Sequence, residues 1–177
     1  RERAGRVFRH ENAALTFVLI GLILVMGGVT RGKTLSVSNI RNVVLVSSIR
    51  GMATIGQGMV ILTGGIDVSV GGNALMCSCL GAGLMTSNYQ NIIGHPLPMS
   101  LAVPIMLLAG TAWGIFNGMM VSRVGIPALI STLGLWQITH GVAYRICKGG
   151  DFHYQPDSLI WWGSGTVGGV PVPVIIF

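Results

Sequence analysis

Apolar residues run along this chain in long blocks, and few polar positions interrupt them. The 19 residues between Glu11 and Arg31 carry no charge, and the 72 between Arg50 and Arg123 carry one, Asp67. From Val124 to Tyr144 another 21 residues are uncharged apart from any proton His140 takes up. A bilayer's hydrocarbon core is about 30 Å thick, so a helix needs about 20 mostly apolar residues to cross it. Within lipid every backbone N–H and C=O must be satisfied inside the segment, which makes helix the default. The blocks therefore predict five spans: Ala13–Val29, Val43–Leu62, Val68–Met85, Leu101–Val121 and Ile126–Ala143. Val170–Phe177 starts a sixth, but its eight residues are too few to cross. The predicted fold is all-α, a polytopic transmembrane helical bundle of about five spans plus the start of a sixth, a piece of a longer protein. Residues 1–177 form one transmembrane domain, with a basic N-terminal segment at 1–12 and an extramembrane or re-entrant loop at 144–169.

Composition supports that reading. Of 177 residues 51% are hydrophobic and 9% charged, with a mean hydropathy of +0.70. A soluble domain carries about 25% charged residues, so there is too little charge here to clothe a globular surface. Disordered chains, nucleic-acid-binding modules and most soluble enzymes are excluded, although the net charge is +6. Arg1, Arg3, Arg6 and Arg9 form a basic leader, but the apolar run behind it exceeds the 7–15 residues of a signal peptide and no A-x-A-like site follows. A cytoplasmic N-terminus places five basic residues inside (Arg1, Arg3, Arg6, Arg9, Arg123) and five outside (Arg31, Lys33, Arg41, Arg145, Lys148). The tie is resolved in favour of that orientation because the first helix usually dominates.

Gly27-Gly28-Val29-Thr30-Arg31-Gly32-Lys33-Thr34 satisfies the phosphate-binding pattern G-x-x-x-x-G-K-[ST]. A P-loop joins a short buried strand to a helix, whereas here a long apolar run precedes the motif, and no acid on a strand is left to hold magnesium. The residues read as a glycine-softened basic loop at the lipid headgroups. Cys77 and Cys79 face different ways on a helix, and Cys147 stands apart in sequence. They read as small packing residues, with no zinc spacing or disulfide framework.

The informative break is Gly64-Gly65-Ile66-Asp67-Val68-Ser69-Val70-Gly71-Gly72. Two glycines end one span and the next begins within a few residues, too soon for a solvated loop. Asp67 or Ser69 can cap the following helix. An intramembrane carboxylate is also a functional-site candidate, and broken helices are where transporters build pathways; the two roles are compatible. Gly110, Gly114 and Gly118 recur at intervals of four, a face for close helix packing. Asn117 lies beside the last of them, and Asn73 follows the break. The fifth span carries Thr132, Trp136, Gln137, Thr139 and His140, a polar load that should face the bundle interior. Asp67, Ser69, Asn73, Asn117, Trp136, Gln137 and His140 are the candidate pathway residues. There is no catalytic constellation, no metal cluster and no cofactor motif. In the 144–169 loop, Trp161 and Trp162 suit an interface.

Three blocks carry a family resemblance: Ile61–Gly71 (ILTGGIDVSVG), Gly114–Gly118 (GIFNG) and Ile126–Gly134 (IPALISTLG). Their order and spacing resemble the membrane permeases of ribose/xylose-type ABC importers, from about Asn39 to Gly150, with Lys148-Gly149-Gly150 where such permeases often have a glycine pair. The resemblance implies the N-terminal half of an inner-membrane permease subunit. It further implies a second permease subunit, identical or paralogous, cytoplasmic ATP-binding subunits that drive alternating access, and a periplasmic or extracellular binding protein that delivers a monosaccharide or similar solute. The loop that docks on the ATPase would lie beyond this chain. His140, before Gly141, stands where many such permeases have Arg, and Ala128-Leu129 replaces a more usual Pro/Phe-containing pair. The alternative is a secondary transporter or channel subunit built as a Gly-rich helical bundle.

Overall fold

A computed structural model describes residues 2–177, with side chains from residue 13 onward, so the basic side chains of the 1–12 segment lie outside the described ones. Five long helices dominate: α1 (Glu2–Val29), α2 (Val37–Leu62), α3 (Val70–Met85), α4 (Met99–Ser122) and α5 (Ala128–Cys147). A 3-10 turn, Lys33–Leu35, joins the first two, and α6 (Asp157–Ser164), a hairpin of β1 (Thr166–Val167) and β2 (Val170–Pro171), and α7 (Val172–Ile176) follow. Each of the five predicted apolar blocks corresponds to one of the long helices, although the blocks Val68–Met85 and Ile126–Ala143 each begin two residues before α3 and α5 do. Two of these, Val37–Leu62 and Met99–Ser122, are long and apolar enough to cross a membrane, while the apolar helical stretches Ala13–Val29 and Val70–Met85 are shorter.

The expected sixth span starts differently. Gly168 and Gly169 both take positive φ (57° and 85°), the two-residue turn that glycine pairs favour between antiparallel strands. Val167 pairs with Val170 and Thr166 with Pro171. Val170 and Pro171 are therefore strand, and the helix that follows has five residues, with proline in its first turn, where a missing N–H costs nothing.

The chain divides into two compact units, residues 1–48 and 49–177, with the boundary inside α2. In the first, α1 ends in a Schellman arrangement: the Gly32 amide donates to Gly27 C=O at 2.8 Å and the Arg31 amide to Gly28 C=O at 3.2 Å. The left-handed position that such an ending requires is usually glycine, yet here it is Arg31, at φ +51°. Helix α1 runs straight through Gly27 and Gly28, so the P-loop-like string is a helix end and has no strand before it.

The second unit is built around α3, which packs on α4 and most closely on α5. Small residues permit this. A Cβ on Gly72 would overlap Thr139 Oγ1 and come within 2.9 Å of Trp136 Cδ1; one on Gly81 would meet Met106 Sδ at 2.8 Å, and one on Gly83 the Ile92 side chain at 2.8 Å. The apolar core is small: Leu84, Met85 and Ala102, with Leu80, Leu97, Met99 and Leu159 against it. Much of what is buried is polar, including Ser69, Thr86, Gln90, Asn117, Thr132 and Thr139. Large apolar side chains instead stand exposed on all five long helices, among them Phe17, Ile55, Leu75, Leu108 and Ile130.

Candidate functional site

The break between α2 and α3 is made by backbone geometry that only particular residues permit. The Gly65 amide donates to Val60 C=O at 3.0 Å and the Gly64 amide to Ile61 C=O at 2.9 Å, with Gly64 in the left-handed region at φ +77°. This is the Schellman ending again, here with its usual glycine. Chain direction then resets at Asp67. One carboxylate oxygen, Oδ1, accepts from the Ser69 amide at 2.7 Å and the Ser69 hydroxyl at 2.6 Å. Ser69 already has helical dihedrals (φ −77°, ψ −13°), and its hydroxyl caps no amide. Of the two cap candidates, Asp67 is the one that accepts an amide at the start of α3, complementing the helix dipole.

Asp67 borders a cavity of about 590 Å³, enclosed by the break, the C-terminal half of α4 and the start of α5. Thr63, Asn117, Thr132, Gly114 and Gly118 border it too, as does Arg123 at the end of α4. Its volume falls in the range of about 300–1,000 Å³ that suits small ligands. Asn117 is buried, and its Oδ1 accepts from the Ser131 hydroxyl at 2.7 Å, tying α4 to α5 at the wall. Among the described residues Asp67 makes no ion pair, so Arg123 faces the same space without neutralising it through contact.

The candidate residues separate into groups. Asp67 and Asn117 meet at one cavity. Ser69 is buried and does not border it, acting as the donor to Asp67. Asn73 ties helices instead: its Nδ2 donates to Gly110 C=O at 3.1 Å, and its Oδ1 accepts from Cys77 at 3.5 Å. The Trp136 and His140 rings pack against each other at a tilt of 54°, with centroids 4.6 Å apart, and His140 Nδ1 lies 3.3 Å from Trp136 C=O. Neither borders the cavity, and Gln137 is exposed on another side of α5.

The glycine row divides likewise. A Cβ on Gly110 would meet Cys77 Sγ at 2.8 Å, whereas Gly114 and Gly118 have nothing within 4 Å. Those two widen the cavity, so within this chain the close-packing expectation applies at Gly110. Thr63, Ser131 and Thr132 fall outside the pathway candidates, yet all three lie inside the blocks Ile61–Gly71 and Ile126–Gly134, which is the signal that could find them. Cys147, isolated in sequence, is brought beside Cys79. The three cysteines are free thiols, and among the described residues no three His, Cys, Asp or Glu side chains converge as a metal site.

Residues 39–168 match the family described as the permease component of branched-chain amino acid transport systems. The chain belongs to this permease family. It is 27% identical over 165 residues to the ribose import permease RbsC of Haemophilus influenzae, covering 91% of this chain and 49% of that protein. To the autoinducer 2 import system permease LsrD of an Enterobacter species (strain 638) it is 34% identical over 125 residues, 67% of this chain and 36% of that one. To the Escherichia coli K12 RbsC it is 30% identical over 145 residues, 80% and 43%. The chain spans half or less of the length of these curated relatives. No solved structure matches it. The family assignment agrees with the resemblance carried by the three sequence blocks, and it places the break, the GIFNG block and the IPALISTLG block within the matched span.

Proposed function

We propose that this chain is half of a membrane permease subunit of an ABC importer and that the cavity at the α2–α3 break is part of its solute pathway. The observation that carries the proposal is the convergence of three family-type blocks on one cavity: Asp67 from the first, Asn117 from the second and Thr132 from the third. Residues far apart in sequence meet where a small polar molecule would find a carboxylate, an amide and a hydroxyl.

The surroundings support membrane residence. Polar side chains lie between helices and large apolar ones outside, the inverse of a water-soluble surface, where exposed apolar patches stay small. In hydrocarbon, small residues and interhelical hydrogen bonds hold helices together, as Gly72, Gly81, Gly110 and Asn73 do here. The five long helices are then five spans of a multi-pass protein of the bacterial inner membrane, with the N-terminus inside. That orientation puts the break, Arg123 and the cavity at the cytoplasmic end.

The solute is a monosaccharide or a comparably small polar molecule, as the names of the ribose and autoinducer 2 permeases suggest. A pathway needs contacts weak enough to release what they bind, which the exposed Thr63 hydroxyl and a capping carboxylate provide. Energy comes from cytoplasmic ATP-binding subunits, a second permease subunit completes the pore, and a binding protein delivers the solute; this chain hydrolyses nothing. In cells carrying the full-length importer, Asp67→Asn and Thr132→Ala should each lower ribose or autoinducer 2 uptake at least about tenfold at equal membrane abundance. Uptake should stop when ATP is depleted under an intact ion gradient. Persistence under that gradient contradicts the ABC reading, and wild-type rates in both variants contradict the pathway.

A further inference from the structure

The string Gly27–Thr34, which has no nucleotide role in this fold, still shapes a concave basic surface. A second cavity, of about 570 Å³, lies where α1 ends, bordered by Val29, Thr30, Arg31, Lys33, Thr34 and Asn39. Its hydroxyls and amide are organised: the Thr30 and Thr34 hydroxyls are 2.7 Å apart, Thr30 Oγ1 donates to Met26 C=O at 2.7 Å, and Asn39 Nδ2 donates to Thr34 C=O at 2.8 Å. The cations are not satisfied in the same way. Neither the Arg31 guanidinium nor the Lys33 ammonium makes a hydrogen bond or ion pair among the described residues. Between Glu11 and Asp67 the sequence contains no acid that could pair with them.

The placement of Arg31 is informative. It occupies the left-handed position of the helix ending at φ +51°, where an L-residue costs energy that glycine would not. Strained backbone is retained where the surroundings or a ligand over-determine it. We infer that Arg31 and Lys33, with the Thr30–Thr34 hydroxyls beside them, form a site for a phosphate group, as borne by an anionic phospholipid headgroup or by free phosphate. Two unpaired cations beside this turn match the charge and acceptor oxygens of a phosphate, the threonine hydroxyls hold the turn between them, and an apolar helix leading into the site gives acyl chains a surface to follow. The inference needs the chain to sit in a bilayer but is independent of what the protein transports.

The test uses the full-length protein in detergent micelles, with bound phosphatidylglycerol and phosphatidylcholine counted by native mass spectrometry. Arg31→Gly is the informative variant because glycine is favoured at that backbone position and the fold is not put at risk. It should melt no lower than wild type in phosphatidylcholine and yet hold about fivefold less phosphatidylglycerol, the effect of one basic residue at an anionic surface. Lys33→Gln should lose a similar factor, and Arg31→Lys should keep most of the binding. Arg41→Gln, a cation outside the cavity, should stay within twofold of wild type. Inorganic phosphate at tens of millimolar then separates the sources: displacement of phosphatidylglycerol marks a site open to free phosphate, and no displacement marks one specific to the lipid. Equal phosphatidylglycerol occupancy in wild type, Arg31→Gly and Lys33→Gln would overturn the site. An Arg41→Gln loss as large as the other two would also overturn it, because diffuse attraction would then suffice.

Discussion

The two ends of α3 are held in contrasting ways. At its start, a single carboxylate oxygen organises the turn and the space beside it is open. At its end, the chain is riveted by side chains that reach across the fold. Thr86, fully buried, donates to His153 C=O at 2.7 Å, and Gln90, 1% exposed, donates to Cys147 C=O at 2.9 Å. Asn91 returns to Thr86 C=O at 2.7 Å, and Lys148 reaches Tyr89 C=O from the left-handed end of α5. A buried polar network is rigid because each unmade bond is expensive, whereas a glycine-built break with one capping group can change shape at little cost. The comparison separates two kinds of constraint: cross-fold hydrogen bonds hold the Thr86–Gln90 end of α3, whereas at the other end the break itself is held by one carboxylate and α3 is fixed only from Gly72 onward, against Thr139 and Trp136.

That contrast can be broken at several places. The largest effect is expected at Gly72, where any side chain enters Thr139 and Trp136. Gly72→Val should cost upwards of about 3 kcal/mol by overpacking the α3–α5 contact and sharply reduce folded protein on detergent size-exclusion chromatography. Next is the riveted end. Gln90→Ala removes the cross-fold bond to Cys147 C=O, which keeps the Gly150 amide, and leaves Asn88 Nδ2 without its acceptor; it should cost about 1–3 kcal/mol, read as a lower melting temperature with the transport rate per folded molecule unchanged. At the open end the order reverses. Asp67→Asn keeps an acceptor for the Ser69 amide, so stability should fall by less than about 1 kcal/mol while uptake falls far more. The smallest effect on stability belongs to Gly114→Ala, within about 0.5 kcal/mol, since nothing lies within 4 Å of the added carbon. A large melting shift there would mean that this face is already packed.

Much of the fold is legible in sequence because lipid-scale apolar runs and helix periodicity leave few alternatives. The five long helices and the Gly64–Asp67 break follow from residues 13–147 read against bilayer thickness. The Val170–Phe177 stretch is read only in part by the same ruler: hydropathy finds the apolar run but cannot register that Gly168–Gly169 reverses the chain, which puts Val170 and Pro171 in a strand ahead of the helix Val172–Ile176. At the site, Asp67 and Asn117 are visible as polar intrusions into apolar runs. Their sharing of one wall depends on where α5 docks, which is set by Gly72 against Thr139, a contact between residues 67 positions apart. Trp136 and His140 stand out equally in sequence, yet one helical turn aims them at each other. The riveted end is hidden for a related reason: Asn88, Gln90 and Asn91 look like ordinary loop residues until the 147–155 segment lies across them.

Solvent access to engineered thiols tests the central claim most directly. In the full-length importer in membranes, Thr63→Cys, exposed at the cavity wall, should react with a charged, water-soluble methanethiosulfonate and lose uptake, with protection by transported solute. Leu108→Cys, exposed on the apolar outside of α4, should remain unlabelled in the same membranes. Rapid labelling at Leu108 with none at Thr63 would mean that water lies outside the bundle and none reaches the cavity, and the pathway would have to be sought elsewhere.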